Sequence, residues 1–260
     1  MSPERPEVRV ETRDGIGIAT IDRPAFRNAL NRSTVGLLRS VLGRWREDPS
    51  VGCVVFTGAG DEVFVSGADI RELRERTPAD ALDAINSGLF QEIEKYPKPT
   101  IAAVNGAALG GGCELAIACD LRVAVPNARF GQPETGLGIV PGAGGTQRLP
   151  RLVGWGRARD LVLTGRVLPA EEALSWGLVT RLAPAGAAVE AACQIAREIL
   201  RRGPLATRLA KAALNLATQV PQDAGQWVEI LAQAVTFGSA DKTEGMSAFL
   251  EKRPARFTGR

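Results

Sequence analysis

The sequence of 260 residues contains no histidine. Imidazole is therefore unavailable as a general base, as the partner of a nucleophile or as a metal ligand. This excludes Ser-His-Asp triads, Cys-His dyads and His-ligated metal sites. Tyrosine is scarce as well, since Tyr96 is the only one. Acid–base chemistry in this chain must fall to carboxylates, lysine, cysteine or that one tyrosine.

Cysteine and aromatic residues are few. The four cysteines form no C-x-x-C pair and lie among apolar neighbours, which predicts buried free thiols rather than a metal or redox site. Aromatic residues make up 5% of the chain, and the formal net charge is only +3. The basic excess lies after residue 190, where Arg201-Arg202 and Arg208 to Lys211 are the only candidate clusters, and aromatics are scarce, so we expect no nucleic-acid partner.

Long apolar runs are missing. No run approaches the roughly 20 residues that a membrane-spanning helix needs. The first ten residues mix both charges around no apolar core, unlike a targeting segment. We therefore expect a cytoplasmic protein without a membrane partner.

What is present is an alternation of strand and helix patterns, which is typical of an α/β fold. Strands are predicted over 8–12, 16–21, 51–57, 100–104 and 121–125, the first two joined by a turn at Asp14-Gly15. Helices are predicted over 33–46 (capped by Ser33), 79–93 and 113–118. After Gly154 the helical pattern dominates, with predicted helices over 155–163, 170–176, 187–200, 205–217 and 222–237. This predicts a core of residues 1–190 that carries the active site and a helical region of residues 191–260.

Two glycine-flanked segments are candidates for chemistry, residues 64–70 (FVSGADI) and residues 107–114 (AALGGGCE). Glycine lets a ligand approach backbone N–H groups, and a glycine turn that opens a helix gathers unpaired N–H groups at its positive end. Such a site suits a phosphate or a developing oxyanion, although a plain tight turn is an equally good interpretation of the pattern. Neither the G-x-G-x-x-G fingerprint nor a P-loop is present.

Two glutamates accompany these glycines. Glu114 falls in the first turn of the helix that the glycines open, and we expect the helix dipole to keep it ionised. Glu134 follows 20 residues later in a loop bounded by Pro133 and Gly136, where an acidic residue is most often simply solvated. If both reached one cavity, they could divide the roles of acid and base.

At these residues the chain resembles the enoyl-CoA hydratase/isomerase family, also called the crotonase family. The matching segments follow in order along nearly the whole chain: Arg23-Pro24 with NALN at 28–31, SGADI at 66–70, AAVNGAALGGGCELAIACD at 102–120, FGQPE at 130–134, PGAGGTQRLPRLVG at 141–154, AEEALSWGLV at 170–179 and EGMSAFLEKRPARF at 244–257. The resemblance implies a spiral of ββα units whose C-terminal helices pack between subunits. It also implies trimers, commonly paired into hexamers, that act on acyl-CoA thioesters without a cofactor.

Carried over residue by residue, the resemblance implies an oxyanion hole made by the backbone N–H groups of Ala68 and Gly111. It implies that Glu114 and Glu134 are the catalytic pair of a hydratase, which adds water to a trans-2-enoyl-CoA. A Δ3,Δ2-enoyl-CoA isomerase, or another acyl-CoA lyase of the family, is the alternative, since Glu134 alone could move a proton between C2 and C4.

The resemblance also implies contacts with coenzyme A and the acyl group. The strip from Ala68 to Arg71 would bind the pantetheine and adenine end, and Gly142 would belong to a loop behind the second glutamate. Phe249 and Lys252 would reach the substrate of a neighbouring subunit; ordinary helix packing and a solvated charge are their simpler interpretations. The substrate-binding set implied is Ala68, Asp69, Ile70, Arg71, Gly111, Gly142, Phe249 and Lys252.

Overall fold

A computed structural model describes residues 6–260; the first five residues, part of the segment predicted to carry no targeting signal, lie outside it. The strands are β1 (Val8–Arg13), β2 (Ile16–Ile21), β3 (Cys53–Gly58), β4 (Val63–Val65), β5 (Thr100–Val104), β6 (Ala107–Leu109), β7 (Leu121–Ala124), β8 (Arg129–Gly131), β9 (Val167–Pro169) and β10 (Arg181–Leu182). The helices are α1 (Arg32–Glu47), α2 (Ile70–Glu75), α3 (Pro78–Leu82), α4 (Ile85–Glu94), α5 (Gly111–Ala118), α6 (Gly145–Val153), α7 (Trp155–Thr164), α8 (Ala170–Ser175), α9 (Ala188–Leu200), α10 (Pro204–Leu216), α11 (Gln222–Phe237) and α12 (Ala240–Leu250). Short 3₁₀ helices cover Pro24–Phe26 and Pro133–Leu137.

The strands form two sheets, and the chain alternates between them. The larger sheet has the order β1-β2-β3-β5-β7-β10 and the smaller one β4-β6-β8-β9. From β3 to β8, each turn adds one strand to the large sheet and the next strand to the small sheet, and a helix returns the chain. This is the predicted spiral of ββα units, and the α/β fold class is confirmed.

Burial explains why these segments form a common core. Every residue of β3 and β5 is buried, as expected for parallel strands covered on both faces. All eight residues of α5 are buried, and this helix contacts strands of both sheets. Helix α9 packs on the large sheet against β3, β5 and β7. The central position of α5 matters for function, because it carries Gly111 and Glu114.

Two local predictions need correction. Helix α1 is capped by Asn31, whose side chain accepts a hydrogen bond from the Thr34 N–H, and not by Ser33. The helix predicted over 79–93 is divided into α3 and α4, because the chain leaves the helical conformation at Ala84, where φ is +50°. Alanine rarely adopts that conformation, so the sequence carries no breaker there to reveal the division.

The C-terminal third is helical as predicted. The predicted boundary between residues 190 and 191 falls within α9, and the later helices α10 to α12 contain few buried residues, namely Lys211, Asp241 and Ala248. The four cysteines are buried and unpaired, which confirms the expectation of free thiols. None of the helices in residues 6–260 is long and apolar enough to cross a membrane.

Candidate active site

Three neighbouring parallel strands of the small sheet deliver the candidate residues to one edge. Strand β4 leads to Ala68, β6 leads to Gly111 and Glu114 at the start of α5, and β8 leads to Glu134 in the 3₁₀ helix. The carboxyl ends of adjacent parallel strands lie side by side, which is where ligands bind in open α/β sheets. The topology therefore brings together segments that are far apart in the chain.

The predicted pair of backbone donors lies at this edge. The Leu30 N–H donates to Gly67 O (2.8 Å) and Leu30 O accepts from the Asp69 N–H (2.9 Å), so the N–H of Ala68 between them faces away from Leu30. Gly111 is the first residue of α5, whose N–H has no partner within the helix. A Cβ placed on Gly111 would lie 3.3 Å from Ala68 N, so the two amides are neighbours. Within residues 6–260 neither N–H has a hydrogen-bond acceptor.

Glycine is required at two points of this turn. Gly110 has φ +51° and ψ −124°, a conformation that residues with a Cβ avoid, and a Cβ there would lie 2.9 Å from Glu134 Oε1. At Gly112 a Cβ would lie 1.8 Å from Val65 O, at the end of β4. The missing side chains therefore let β4, the turn and Glu134 approach one another.

Glu114 is almost completely buried, with 2% of its surface exposed. Its Oε1 accepts hydrogen bonds from the N–H groups of Ala143 (2.7 Å) and Gly145 (2.8 Å), whereas no described residue donates to Oε2. Burial raises the pKa of Glu114, and these two amides and the charge of Arg148 oppose that rise. Desolvation is therefore the largest influence on the pKa of this carboxyl, and the expected effect of the helix dipole stays a prediction.

Glu134 is also buried, at 8% exposure, and is not the solvated loop residue that its sequence context favours. Burial raises its pKa to about 7; a backbone N–H opposes the rise, and the negative charge of Glu114 adds to it. The Gln132 side-chain amide is oriented so that its nitrogen faces Glu134. It donates hydrogen bonds to the two Glu134 oxygens at 3.0 and 3.1 Å. The pKa of Glu134 thus places its proton exchange near neutral pH.

The two buried carboxyl groups are held differently, although burial raises the pKa of both. Glu114 is held on one oxygen by two amides that favour its ionised form, whereas Glu134 keeps its proton up to about pH 7. Groups whose pKa values are separated by their surroundings can act as base and acid in one reaction. Beside them, the amides of Ala68 and Gly111 can stabilise negative charge on a carbonyl oxygen.

A buried arginine holds the turn that presents Ala68. The Arg23 guanidinium contacts Asp69 Oδ2 (3.2 Å) and Glu7 Oε1 (2.9 Å), and it donates to Ala29 O. Asp69 also accepts from the Arg71 N–H (3.1 Å), so its carboxylate caps α2. The Asp69 carboxylate is thereby committed to partners within the protein.

Replacing Arg23 by Met should lower the free energy of unfolding by about 3 kcal/mol, because removing one partner of a buried pair leaves uncompensated carboxylates. Urea denaturation at a fixed protein concentration, followed by tryptophan fluorescence, measures the change. The matched control is Arg74→Met, which breaks an exposed pair with Glu75 and should cost less than about 1 kcal/mol. Equal effects of the two substitutions would contradict the structural role of Arg23.

The remaining predicted substrate contacts lie at the surface. Ile70 is 56% exposed, and the Arg71 guanidinium lies 5.3 Å from the centre of the Phe26 ring. Phe249 is 83% exposed and Lys252 is exposed beyond the end of α12. These positions suit contacts with a substrate or a second subunit, and their roles remain predictions.

Gly142 lies in a loop whose position differs from the expectation. We expected residues 142–145 behind the second glutamate, but the amides of this loop bind Glu114, the first one. The reason is that α6 begins at Gly145, which brings the loop to the start of α5.

Three residues around the site were not predicted individually from the sequence. Gln132, Ala143 and Arg148 belong to segments that carry the family resemblance, FGQPE and PGAGGTQRLPRLVG. The hydrogen bonds of Gln132 to Glu134 and of Ala143 to Glu114, and the effect of the Arg148 charge on Glu114, were not predicted, because interactions between distant segments leave no periodic pattern in the sequence.

Comparisons with known proteins agree with this geometry. The model of the enoyl-CoA hydratase/isomerase family matches residues 11–260. The chain is 45% identical over 250 residues to the crotonyl-CoA hydratase of Syntrophomonas wolfei, covering 95% of this chain and 96% of that protein. It is 43% identical over 248 residues to the short-chain-enoyl-CoA hydratase of Clostridium acetobutylicum, covering 95% of each.

A solved structure shares the fold over the whole length. The crystal structure of enoyl-CoA hydratase from Bacillus anthracis superposes with a TM-score of 0.94 and 38% sequence identity, covering 98% of this chain and 100% of that one. With a family model that spans nearly the whole sequence, relatives above 40% identity and this structural match, the chain belongs to the enoyl-CoA hydratase/isomerase family.

Proposed function

We propose that this protein is an enoyl-CoA hydratase that adds water reversibly and syn across the C2–C3 double bond of a trans-2-enoyl-CoA, giving the 3-hydroxyacyl-CoA. The observation that carries the proposal is the convergence of two buried, differently held carboxyl groups on a pair of unpaired backbone amides. The names of the relatives support the same reaction, and two of them specify crotonyl-CoA or short-chain substrates.

The amides act on the thioester carbonyl. Addition at C3 drives negative charge onto the carbonyl oxygen, which becomes enolate-like. The N–H groups of Ala68 and Gly111 would donate to that oxygen, and removing one such donor typically costs about 3–4 kcal/mol of barrier. Because the donors belong to the backbone of a buried turn, they are in place before the substrate arrives and need little reorganisation.

The carboxyl groups move the protons of water. Oε1 of Glu114 is occupied by two amides, so Oε2 remains to bind the water and take its proton as the oxygen adds to C3. Glu134, protonated below about pH 7, delivers a proton to C2. Both groups act from the same side of the acyl chain, so the addition is syn, and in the reverse direction they exchange roles.

The thioester itself accepts the developing charge, so the proposed reaction uses no cofactor. We propose a cytoplasmic location, because four unpaired cysteines suit a reducing compartment. An isomerase would need Glu134 alone, so it would leave the buried and specifically bound Glu114 without a role.

Two substrates test the proposal. Incubation with crotonyl-CoA should lower the absorbance of its conjugated enoyl thioester to an equilibrium value and yield 3-hydroxybutyryl-CoA, identified by mass spectrometry. A 3-enoyl-CoA should react at least tenfold more slowly. Rapid turnover of the 3-enoyl-CoA with no hydration of crotonyl-CoA would overturn the assignment in favour of the isomerase.

We further propose that the chain forms trimers, alone or paired as hexamers. Helix α11 has 16 residues and none is buried, yet it carries an apolar stripe. Trp227, Ile230, Leu231 and Val235 recur at helical spacing and are 55% to 65% exposed. An apolar stripe of that kind normally faces a core or a partner, and identical helices of further copies would cover it.

Replacing Leu231 by Glu should therefore convert the assembly to monomers of 27.5 kDa. A charge in the centre of a buried apolar interface lacks a partner and carries a large desolvation cost. Analytical ultracentrifugation measures the mass, and Glu229→Gln on the same helix is the control that should keep the assembly. A wild-type protein that sediments as a monomer would refute the proposal.

A further inference from the structure

The loop whose amides bind Glu114 has no polar side chain that could fix its own conformation. Residues 141–145 read Pro-Gly-Ala-Gly-Gly, and no side chain among them carries a polar group. Gly144 has φ +109°, and glycine loses more conformational freedom on ordering than any other residue. Nevertheless the N–H groups of Ala143 and Gly145 converge on a single oxygen of Glu114. Something outside the loop must therefore fix its shape.

Arg148, one turn into α6, supplies that anchor. Its Nη1 donates to Ala143 O (2.9 Å), the carbonyl of a residue whose own N–H binds Glu114. The guanidinium also covers Gly144, where a Cβ would lie 1.9 Å from Nη1. A larger residue at that position would displace the arginine.

Glu94 fixes the other side of the guanidinium. Arg148 Nη2 lies 2.8 Å from Glu94 Oε2, and the Arg148 side chain is only 11% exposed. Glu94 ends α4, and its carbonyl accepts from Asn215 of α10 (2.8 Å). This largely buried ion pair links α6 to α4, and α4 is in turn bonded to α10. It therefore restrains the guanidinium more than an exposed ion pair would.

The charge of Arg148 acts on Glu114 as well. Burial raises the pKa of Glu114, and the positive charge of Arg148 lowers it. The other titratable groups next to Glu114 are Glu134 from the 3₁₀ helix and Cys113 from α5, and neither is a cation. The Arg148 guanidinium lines a cavity of about 490 Å³. The other charged residues that line this cavity are Glu94, Lys95 and Arg151.

We propose that Arg148, braced by Glu94, is a positioning residue for Glu114: it holds the loop of residues 141–145 in the shape that binds Oε1. The inference rests on the proposed function, in which Glu114 is the base. It adds a support that touches neither the substrate nor the reacting atoms.

The test compares Arg148→Gln with Arg148→Lys, Glu94→Gln and the control Arg151→Gln, an exposed arginine one turn later on α6. Hydration of crotonyl-CoA gives kcat, KM and the acid limb of the pH–rate profile. Hydrogen–deuterium exchange, followed by mass spectrometry of peptides covering residues 141–147, reports the loop amides independently of activity.

We expect Arg148→Gln to lower kcat by about 10-fold with little change in KM, the lower end of the range found when an outer hydrogen-bonding partner is removed in metal sites. Its acid limb should move to higher pH, because Glu114 loses the charge that favours ionisation. Arg148→Lys should keep the limb near its wild-type position while recovering only part of kcat. Glu94→Gln should speed exchange of the loop amides without moving the limb upward, and Arg151→Gln should match the wild type.

An Arg148→Gln enzyme with unchanged acid limb and unchanged loop exchange would overturn the inference while leaving hydration intact. A loss of thermal stability with an unmoved limb would mean a structural role only and would also overturn it. If the wild type fails to hydrate crotonyl-CoA, the proposed function fails instead. The exchange measurement then decides alone whether Arg148 and Glu94 fix the loop.

Discussion

The Glu134→Gln variant should hydrate crotonyl-CoA about 10²- to 10⁴-fold more slowly than the wild type, the usual cost of losing an essential acid or base. Glutamine preserves the size of the side chain and one of the two oxygens that accept from Gln132, but it has no acidic proton to deliver to C2. The loss should appear in kcat rather than KM, because the interaction matters in the transition state. Steady-state kinetics measure it, and the exposed Glu171→Gln is the matched control that should keep wild-type rates.

The pH dependence should identify the same group. In the hydration direction the productive enzyme carries one proton on the pair, on Glu134, while Glu114 is ionised. The pKa of Glu134 is raised to about 7, so this form is lost as the pH rises through that value. The profile of kcat/KM, which reports the free enzyme, should fall on its alkaline side near pH 7. Because Glu114 and Glu134 interact, the apparent pKa values of the pH profile describe the pair of carboxyl groups and not either residue alone.

Two results would contradict this assignment of Glu134. The first is wild-type hydration by Glu134→Gln. The second is an alkaline limb that persists unchanged in the residual activity of that variant. Circular dichroism of the variant should match the wild type, since glutamine keeps the size of the side chain and one oxygen that accepts from Gln132.

The Gly111→Pro variant should lose about 10²- to 10³-fold in kcat, the range measured when an oxyanion donor is removed. Proline has no N–H, so it deletes one of the two backbone donors, which side-chain substitutions cannot do. Helix α5 should persist, because Gly111 is its first residue and proline is favoured there. The ring also occupies the space beside the amide, so the change in KM must be measured together with kcat.

Gly111→Ala is the matched control because it retains the N–H. Its Cβ would lie 3.3 Å from Ala68 N, a close contact that a shift of a few tenths of an ångström relieves. We expect it to lose less than about 10-fold, within the effect of an ordinary close contact, and thermal unfolding checks that both variants fold. Equal activity of the two variants would rule out the Gly111 amide as a donor.

The sequence predicted those helices, strands and turns that depend on only a few neighbouring residues. The hairpin at Asp14-Gly15 and the buried strand β5 appear where expected, because turn chemistry and apolar runs are visible over a few residues. Helix α11 has the predicted bounds for the same reason. The short strands β4, β6 and β8 were not predicted, since three residues carry no usable period.

The residues of the site could be predicted from the sequence, but the burial and pKa values of their side chains could not. Glu114 and Glu134 stand in recognisable segments, yet the sequence suggested that the first is governed by a helix dipole and the second by solvent. Burial is the largest influence on the pKa of both groups, and it makes the expectation of a solvated Glu134 wrong. Desolvation depends on which distant segments cover a group, and here those segments include Gln132 and the loop before α6.

The residue types alone narrowed the chemistry: without histidine, acid–base steps fall to carboxylates, lysine, cysteine or Tyr96, and the glycine-flanked turns offer backbone amides. The sequence also determined the α/β alternation and the family. Three features became visible only in the folded chain: the oxygen of Glu114 that is occupied, the rise in the pKa of Glu134, and the contacts of Arg148 with the loop and Glu94. They could not be predicted because pKa values and amide directions depend on contacts between segments that are distant in the chain and adjacent in the fold.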